Sequence, residues 1–194
     1  MKRLSLRSSL VVLSLTLLAG CATSGSDEAA TAYAEATRPV SALTGDQASS
    51  DLYYIEFRAR SAESYGHTFA MFGKRDRAGN ILTREVAGLH PASTSDVPYV
   101  LGHLVPVPSE TGPSDGDLED EYMTANWRID LNKAQYDDTV AYIRQLQANS
   151  PVWHAVWANC SGFVGKIARH MGYRAPSPML FPENYINTLK EMNT

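Results

Sequence analysis

Two residues of the chain have the chemistry of a nucleophile and its base. Cys160 lies in the stretch ANCSGFVGKIARHMGY, and His67 lies in YGHTFAMFG. Cys160 stands at the start of a predicted helix, where unpaired backbone N–H groups and the helix dipole stabilise a thiolate. A neighbouring imidazole can take the thiol proton and later return it to a leaving group. The alternatives are a buried core thiol and a core histidine.

A third residue would orient the imidazole, and the strand after His67 offers two candidates. If Lys74 pairs with Ile81 across the hairpin, His90 lies on the same face as His67, one diagonal step away. A slip of one residue would turn His90 away and bring Glu85 to that face. We therefore predict His90 as the third catalytic residue, with Glu85 as the alternative.

The other histidines are weaker candidates. His154 precedes Cys160 by six residues and could compete with His67 as the base. His103 lies in a Pro-rich connection, and His170 lies near the end of the Cys160 helix. A zinc site built from Cys160 and histidines is an alternative, but no close pair has the usual ligand spacing. We predict no metal and no cofactor.

Residues 1–20 have the features of an export signal. A basic start precedes the apolar run from Leu10 to Leu18, which is too short for a comfortable transmembrane helix. The run ends in Leu-Ala-Gly before Cys21 and resembles the lipobox of bacterial lipoproteins, whose cysteine receives a diacylglycerol. Ala22 follows that cysteine, which by the same resemblance favours an outer membrane location facing the periplasm. The alternatives are an ordinary signal peptide with a chance cysteine and an uncleaved anchor.

The cysteine count favours a chemical role for Cys160. The chain has two cysteines, and once Cys21 carries lipid, Cys160 has no partner for an intramolecular disulfide. A solitary thiol is a liability in an oxidising compartment, because it forms mixed disulfides or is oxidised. A chemical role would explain its presence there.

Composition predicts one domain on a flexible tether. The signal holds three of the 17 basic residues and no acidic one, so the rest has 14 basic and 21 acidic residues, a net charge of −7. This charge argues against a nucleic-acid partner, and we expect a monomer. Residues 21–50 are small and polar, which predicts a tether, and residues 51–194 are long enough for one domain with a core.

Hydrophobic patterning predicts an α+β domain with a small antiparallel sheet packed against helices. We expect strands at 52–60, 65–73, 80–90 and 125–131, and helices at 133–148, 160–171 and 182–193. The acidic segment 110–121 is predicted to be a mobile, solvated loop. Trp153 and Trp157 are expected to pack in the core or in a cleft wall.

Two of these stretches together resemble a known superfamily. NCSGFVGKIARHMGY is similar to the segment that opens the nucleophile helix in circularly permuted, NlpC-like papain-fold proteins, including relatives of lecithin:retinol acyltransferase. YGHTFAMFG resembles their histidine strand, and the order of histidine before cysteine is the permuted one. The resemblance covers about residues 51–173 and implies a permuted papain-like fold. It also implies a polar residue, often a second histidine, on the next strand.

The function that the resemblance implies is a lipid-anchored thiol hydrolase or acyltransferase. Cys160 would attack an acyl carbon, His67 would act as base and acid, and the Cys160 backbone N–H would help to hold the oxyanion. The substrate would be an amide or ester in the cell envelope, such as a cell-wall peptide of peptidoglycan or a lipid-linked acyl group. One alternative is an inactive papain-fold lipoprotein that serves as a binding or assembly module. Another is an envelope protein of unrelated fold.

Overall fold

The computed structural model describes residues 52–62 and 65–194. The predicted signal, Cys21, the tether and Asp51 lie outside the described residues. The described chain is α+β, as the patterning predicted, with one four-stranded antiparallel sheet, one three-stranded sheet and several helices. Within the described part, no helix is long and apolar enough to span a bilayer.

The main sheet has the strand order β3-β2-β1-β6, and each neighbouring pair is antiparallel. Its four strands are β1 (Leu52–Arg60), β2 (His67–Arg75), β3 (Ile81–Gly88) and β6 (Met123–Leu131). Directly paired residues project to the same face of a sheet. The register therefore shows which side chains lie on the helix-facing side of the sheet and which lie on the opposite side.

The helix-facing side of the main sheet is apolar. Phe57, Phe72 and Ile129 lie on it and form one core with side chains from three helices, among them Phe163 and Ile186. The opposite side carries the polar network around Glu56 and a small apolar cluster of Phe69, Met71 and Val86. Strand alternation places His67 on this opposite side, in line with Phe69.

The β2–β3 hairpin has a register different from the predicted one. Lys74 pairs with Thr83, not with Ile81, and a bulge follows at the next position. The loop accounts for the shift, because the Asp76 side chain accepts hydrogen bonds from both the backbone N–H and the side chain of Asn80. The displacement is two residues. An even displacement leaves every side chain on its predicted face.

The helices follow the predicted boundaries closely. The described helices are α1 (Val97–Leu101), α2 (Lys133–Ala148), α3 (Cys160–His170) and α4 (Pro182–Glu191). Asn132 and Gln135 cap α2 reciprocally. Gly172, with φ 87°, follows the end of α3 in a conformation that favours glycine. Among the described helical segments, the sequence patterns missed the short helix α1 and a 3-10 turn at Asp120–Tyr122.

The connection from 91 to 121 contains more structure than we predicted. It supplies β5 (Val107–Glu110), which lies between β4 (His90–Pro91) and β7 (Val152–Trp153) in the second sheet. Most residues of 110–121 are exposed, as predicted for a solvated loop, but the loop is not free of the domain. Asp117 is only 2% exposed and pairs with Arg60, so part of this loop is fixed to the main sheet.

Candidate active site

Cys160 is the first residue of α3, as its sequence context predicted. Asn159 caps the helix, because its side-chain oxygen accepts a hydrogen bond from the Gly162 backbone N–H at 2.8 Å. The Asn159 amide also donates to the carbonyls of Ala155 and Pro178, at 2.9 and 3.0 Å. The helix start is therefore tied to two neighbouring loops. The thiol is partly buried and is not in a disulfide.

His67 is the first residue of β2 and is 6% exposed. Its side chain hydrogen-bonds to the thiol of Cys160. Its Nε2 atom is buried and has no hydrogen-bond partner within the described part of the chain. The two residues that sequence analysis selected as nucleophile and base are in direct contact.

The surroundings of Cys160 favour the thiolate. Burial alone raises the pKa of this thiol, but the hydrogen bond and charge of His67, together with hydrogen bonds from Thr68, outweigh burial and lower the pKa to about 6. The Thr68 hydroxyl lies 3.3 Å from that of Ser161, the next residue of α3. At neutral pH, Cys160 is therefore mainly a thiolate.

His90 approaches His67 as the third-residue prediction required. The ring centroids of the two histidines are 5.9 Å apart and the rings are nearly perpendicular. In the observed register Phe69 pairs with Gly88, the last residue of β3, and His90 lies two residues beyond it, in β4. His90 Nδ1 lies 3.0 Å from the Pro91 carbonyl oxygen. A carbonyl only accepts, so Nδ1 carries a proton in this contact.

The Nε2 atoms of His67 and His90 are both buried and have no hydrogen-bond partner in the described residues. The nearly perpendicular ring of His90 lies beside that of His67 and would restrict its orientation.

The alternative candidates lie elsewhere. Glu85 pairs with Phe72, projects to the helix-facing side and forms an ion pair with Arg144. His154 Nδ1 accepts from the Val156 backbone N–H, and the ring stacks on Trp157. Neither residue contacts Cys160.

The structure also shows where His170, Trp153 and Trp157 lie. His170 pairs with Asp138 at the far end of α3. Trp153 is buried in the core and also lines the cleft, as predicted, whereas Trp157 is 61% exposed, contrary to the prediction. Within residues 52–62 and 65–194, no group of three or more histidine, cysteine or acidic side chains is placed to hold a metal ion.

A cavity of about 620 Å³ opens at Cys160 and His67. Cys160, His67 and His90 all line it, so the thiol is accessible to a ligand. One part of its wall is apolar and comes from residues 178–182, where Met179 and Phe181 are strongly exposed. The 91–121 connection provides another part of the wall, from Ala92 to Asp115.

Several residues of the site were not found from the sequence. Thr68 stabilises the thiolate, and Arg60 and Asp117 form a buried ion pair beside the cavity. Asn159 had a usable signal, because an asparagine directly before a predicted helix is a common cap. Arg60 and Asp117 had none, because their pairing depends on a loop that is 57 residues away in the sequence.

A substitution at Gly88 tests the position of the His67 imidazole. A Cβ atom on Gly88 would lie 2.6 Å from His67 Nε2 and 3.1 Å from the Phe69 Cβ atom. We therefore expect Gly88→Ala to displace the imidazole from Cys160 and to slow alkylation of the thiol at pH 6 about tenfold. The rate is measured by mass spectrometry of the folded protein treated with iodoacetamide.

Gly112→Ala is the matched control, because a Cβ atom there meets no other atom within 4 Å. It should alkylate at the wild-type rate. A wild-type rate in Gly88→Ala as well, with a normal melting temperature, would show that the imidazole does not depend on this close approach.

Comparison with known proteins identified no relative. No protein-family model matches the chain, and neither a curated protein nor a solved structure matches it. The function therefore has to be argued from the geometry of the site.

Proposed function

We propose that this protein is a cysteine hydrolase or acyltransferase that cleaves amide or ester bonds. The observation that carries the proposal is the hydrogen-bonded pair of Cys160 and His67 in an accessible cavity, with the pKa of the thiol lowered to about 6. A structural cysteine needs neither the activated thiol nor the cavity.

The roles of the residues follow from their positions. The Cys160 thiolate attacks the acyl carbon and forms a thioester, and the His67 imidazolium donates its proton to the leaving amine or alcohol. His67 then takes a proton from water or an acceptor alcohol, which attacks the thioester and releases Cys160. The Cys160 backbone N–H, at the first position of α3, has no intrahelical acceptor and would help to hold the oxyanion. His90 would orient His67.

The proposal includes a permuted papain-like arrangement and a place in the cell envelope. Histidine on a strand of an antiparallel sheet, followed much later by cysteine at a helix start, supports the first part. Lipid attachment at Cys21 would place the domain at the outer membrane, facing the periplasm, on a tether of residues 22–50. The substrate would then be a cell-wall peptide or a lipid-linked acyl group.

The test is the reactivity of the native thiol across pH. We expect iodoacetamide to label Cys160 in the folded protein with a midpoint near pH 6, because the thiolate is the reacting form. Peptide mass spectrometry assigns the label to Cys160, and Cys160→Ser is the control. The activated ester p-nitrophenyl acetate should also leave an acetyl group on the same residue.

A thiol that stays unlabelled at pH 6 until the protein unfolds would overturn the enzyme proposal. The inactive binding module would then be the better explanation of the fold and cavity. Labelling with an ordinary midpoint near pH 8.5 would show an accessible but unactivated cysteine.

A further inference from the structure

Arg60 lies directly opposite His67 in the main sheet. The two residues are cross-strand partners of β1 and β2, so their side chains project to the same face. Both line the cavity, and the Arg60 side chain is only 12% exposed. A buried guanidinium beside the reacting pair is a strong source of positive potential.

Asp117 neutralises this guanidinium. Its carboxylate accepts a hydrogen bond from Arg60 Nε at 2.6 Å, and its side chain is fully buried. The other carboxylate oxygen accepts from the backbone N–H of Ser114 at 2.8 Å. The Ser114 hydroxyl completes the cluster, because it accepts from Arg60 Nη2 at 3.0 Å and lies 3.1 Å from both carboxylate oxygens.

We propose that Asp117 is a positioning residue of the site, which sets the pH at which Cys160 becomes reactive by neutralising Arg60 beside His67. The inference rests on the proposed function, since it takes Cys160 and His67 as the reacting pair. Nothing in the hydrolase chemistry itself requires an ion pair here. The pair is nevertheless built from a buried carboxylate and a largely buried guanidinium, a costly arrangement when only loop attachment is needed.

The sign of the effect follows from charge alone. Each proton that leaves the Cys160–His67 pair makes the pair more negative. An uncompensated positive charge at Arg60 would favour that loss, and an uncompensated negative charge at Asp117 would oppose it. With both charges present, the two opposing effects offset each other.

Other charged and titratable groups face the same space. His90 from β4 lies beside His67, and Arg60 is the cross-strand partner of His67 in β1. The cavity wall around the pair adds the carboxyl groups of Asp96, Glu110 and Asp115, the phenols of Tyr65 and Tyr99, and the imidazole of His103. The three carboxylates have no ion-pair partner among the described residues and lie on exposed segments, where solvent screens their charges.

The experiment compares Asp117→Asn with Arg60→Gln, and the readout is the midpoint pH of iodoacetamide labelling at Cys160. Asp117→Asn should move the midpoint about one pH unit down, and Arg60→Gln about one unit up. Both variants break the same attachment of the 111–117 loop, so a purely structural effect would shift the midpoint in the same direction in both. Opposite shifts would therefore show that the charges cause the effect. Asp115→Asn is the matched control in the same loop and should shift the midpoint much less.

The double variant Arg60→Gln/Asp117→Asn separates charge from structure. It should restore the wild-type midpoint, since neither charge remains, although the loop attachment is still broken. Shifts in the same direction for the two single variants, or unchanged midpoints in folded protein, would overturn the inference. In both cases the wild type still labels at pH 6 and the proposed function stands. An inert wild-type thiol would instead defeat the proposed function.

Discussion

Replacement of His67 by alanine is expected to slow alkylation of Cys160 at pH 6 roughly 100-fold. In the wild type about half of the thiol is ionised at that pH, since its pKa is about 6. Without the imidazole, burial acts unopposed by His67, and the pKa returns to at least the ordinary value near 8.5. The difference between the two proteins should narrow above about pH 9, where an ordinary thiol also ionises.

The matched control is His103→Ala, which removes another imidazole that lines the cavity. His103 Nδ1 bonds to the Tyr99 carbonyl and the ring does not contact Cys160, so the rate should stay near that of the wild type. Melting temperatures of both variants exclude unfolding as the cause. An unchanged rate in folded His67→Ala would mean that Thr68 and the helix start activate the thiol without the histidine.

Replacement of Glu56 by alanine is expected to destabilise the domain by about 3–5 kcal/mol. Glu56 is 0% exposed and forms ion pairs with Arg58 and Arg128, at 2.8 and 2.6 Å, and it also accepts a hydrogen bond from Asn126. Its removal leaves the largely buried Arg58 guanidinium without this partner. Thermal unfolding should show a melting temperature about 10 °C lower.

The same carboxylate should contribute to acid sensitivity. Burial alone raises the pKa of Glu56, but the hydrogen bonds from Asn126 and Arg128 and the charges of the two arginines outweigh burial and lower the pKa. Stabilisation by Glu56 is therefore fully present above the ordinary carboxyl pKa and is lost as the pH falls through the lowered value. Glu56→Gln should be less stable at pH 7 and should lose less on acidification.

The control for Glu56 is Glu85→Gln, which removes an exposed carboxylate in an ion pair with Arg144. Exposed pairs contribute at most about 1 kcal/mol, so this variant should melt within a few degrees of the wild type. If the melting temperature of Glu56→Ala equals that of Glu85→Gln, the buried network around Glu56 contributes little to the stability of the sheet.

The elements that carry the reacting pair could be predicted from local patterns. Alternation in β2 and the capped helical pattern of α2 are properties of short segments, and the corresponding strand and helix were placed correctly. The helix start at Cys160 was also predicted, because Asn159 and the apolar spacing after it act locally. At these positions, interactions between residues close in sequence were sufficient to predict the secondary structure.

The walls of the site could not be predicted in the same way. The 91–121 connection looked like solvated loop because its stability comes from partners distant in sequence, such as Arg60 for Asp117. The register of the β2–β3 hairpin was two residues off because the side chain of Asp76 shapes the turn. His90 still lies on the predicted face of the sheet, because a displacement of two residues does not change the face to which a side chain projects.

The separation of the two reacting residues along the chain has a consequence for the order of events during folding. The contact between Thr68 and Ser161, beside the thiol, joins positions 93 residues apart, and closing so long a loop is entropically costly. Until β2 docks against α3, Cys160 lacks the imidazole that ionises it and reacts as an ordinary thiol. A partly folded chain thus carries an ordinary thiol at Cys160, and the lowered pKa of this thiol arises only when the domain is assembled.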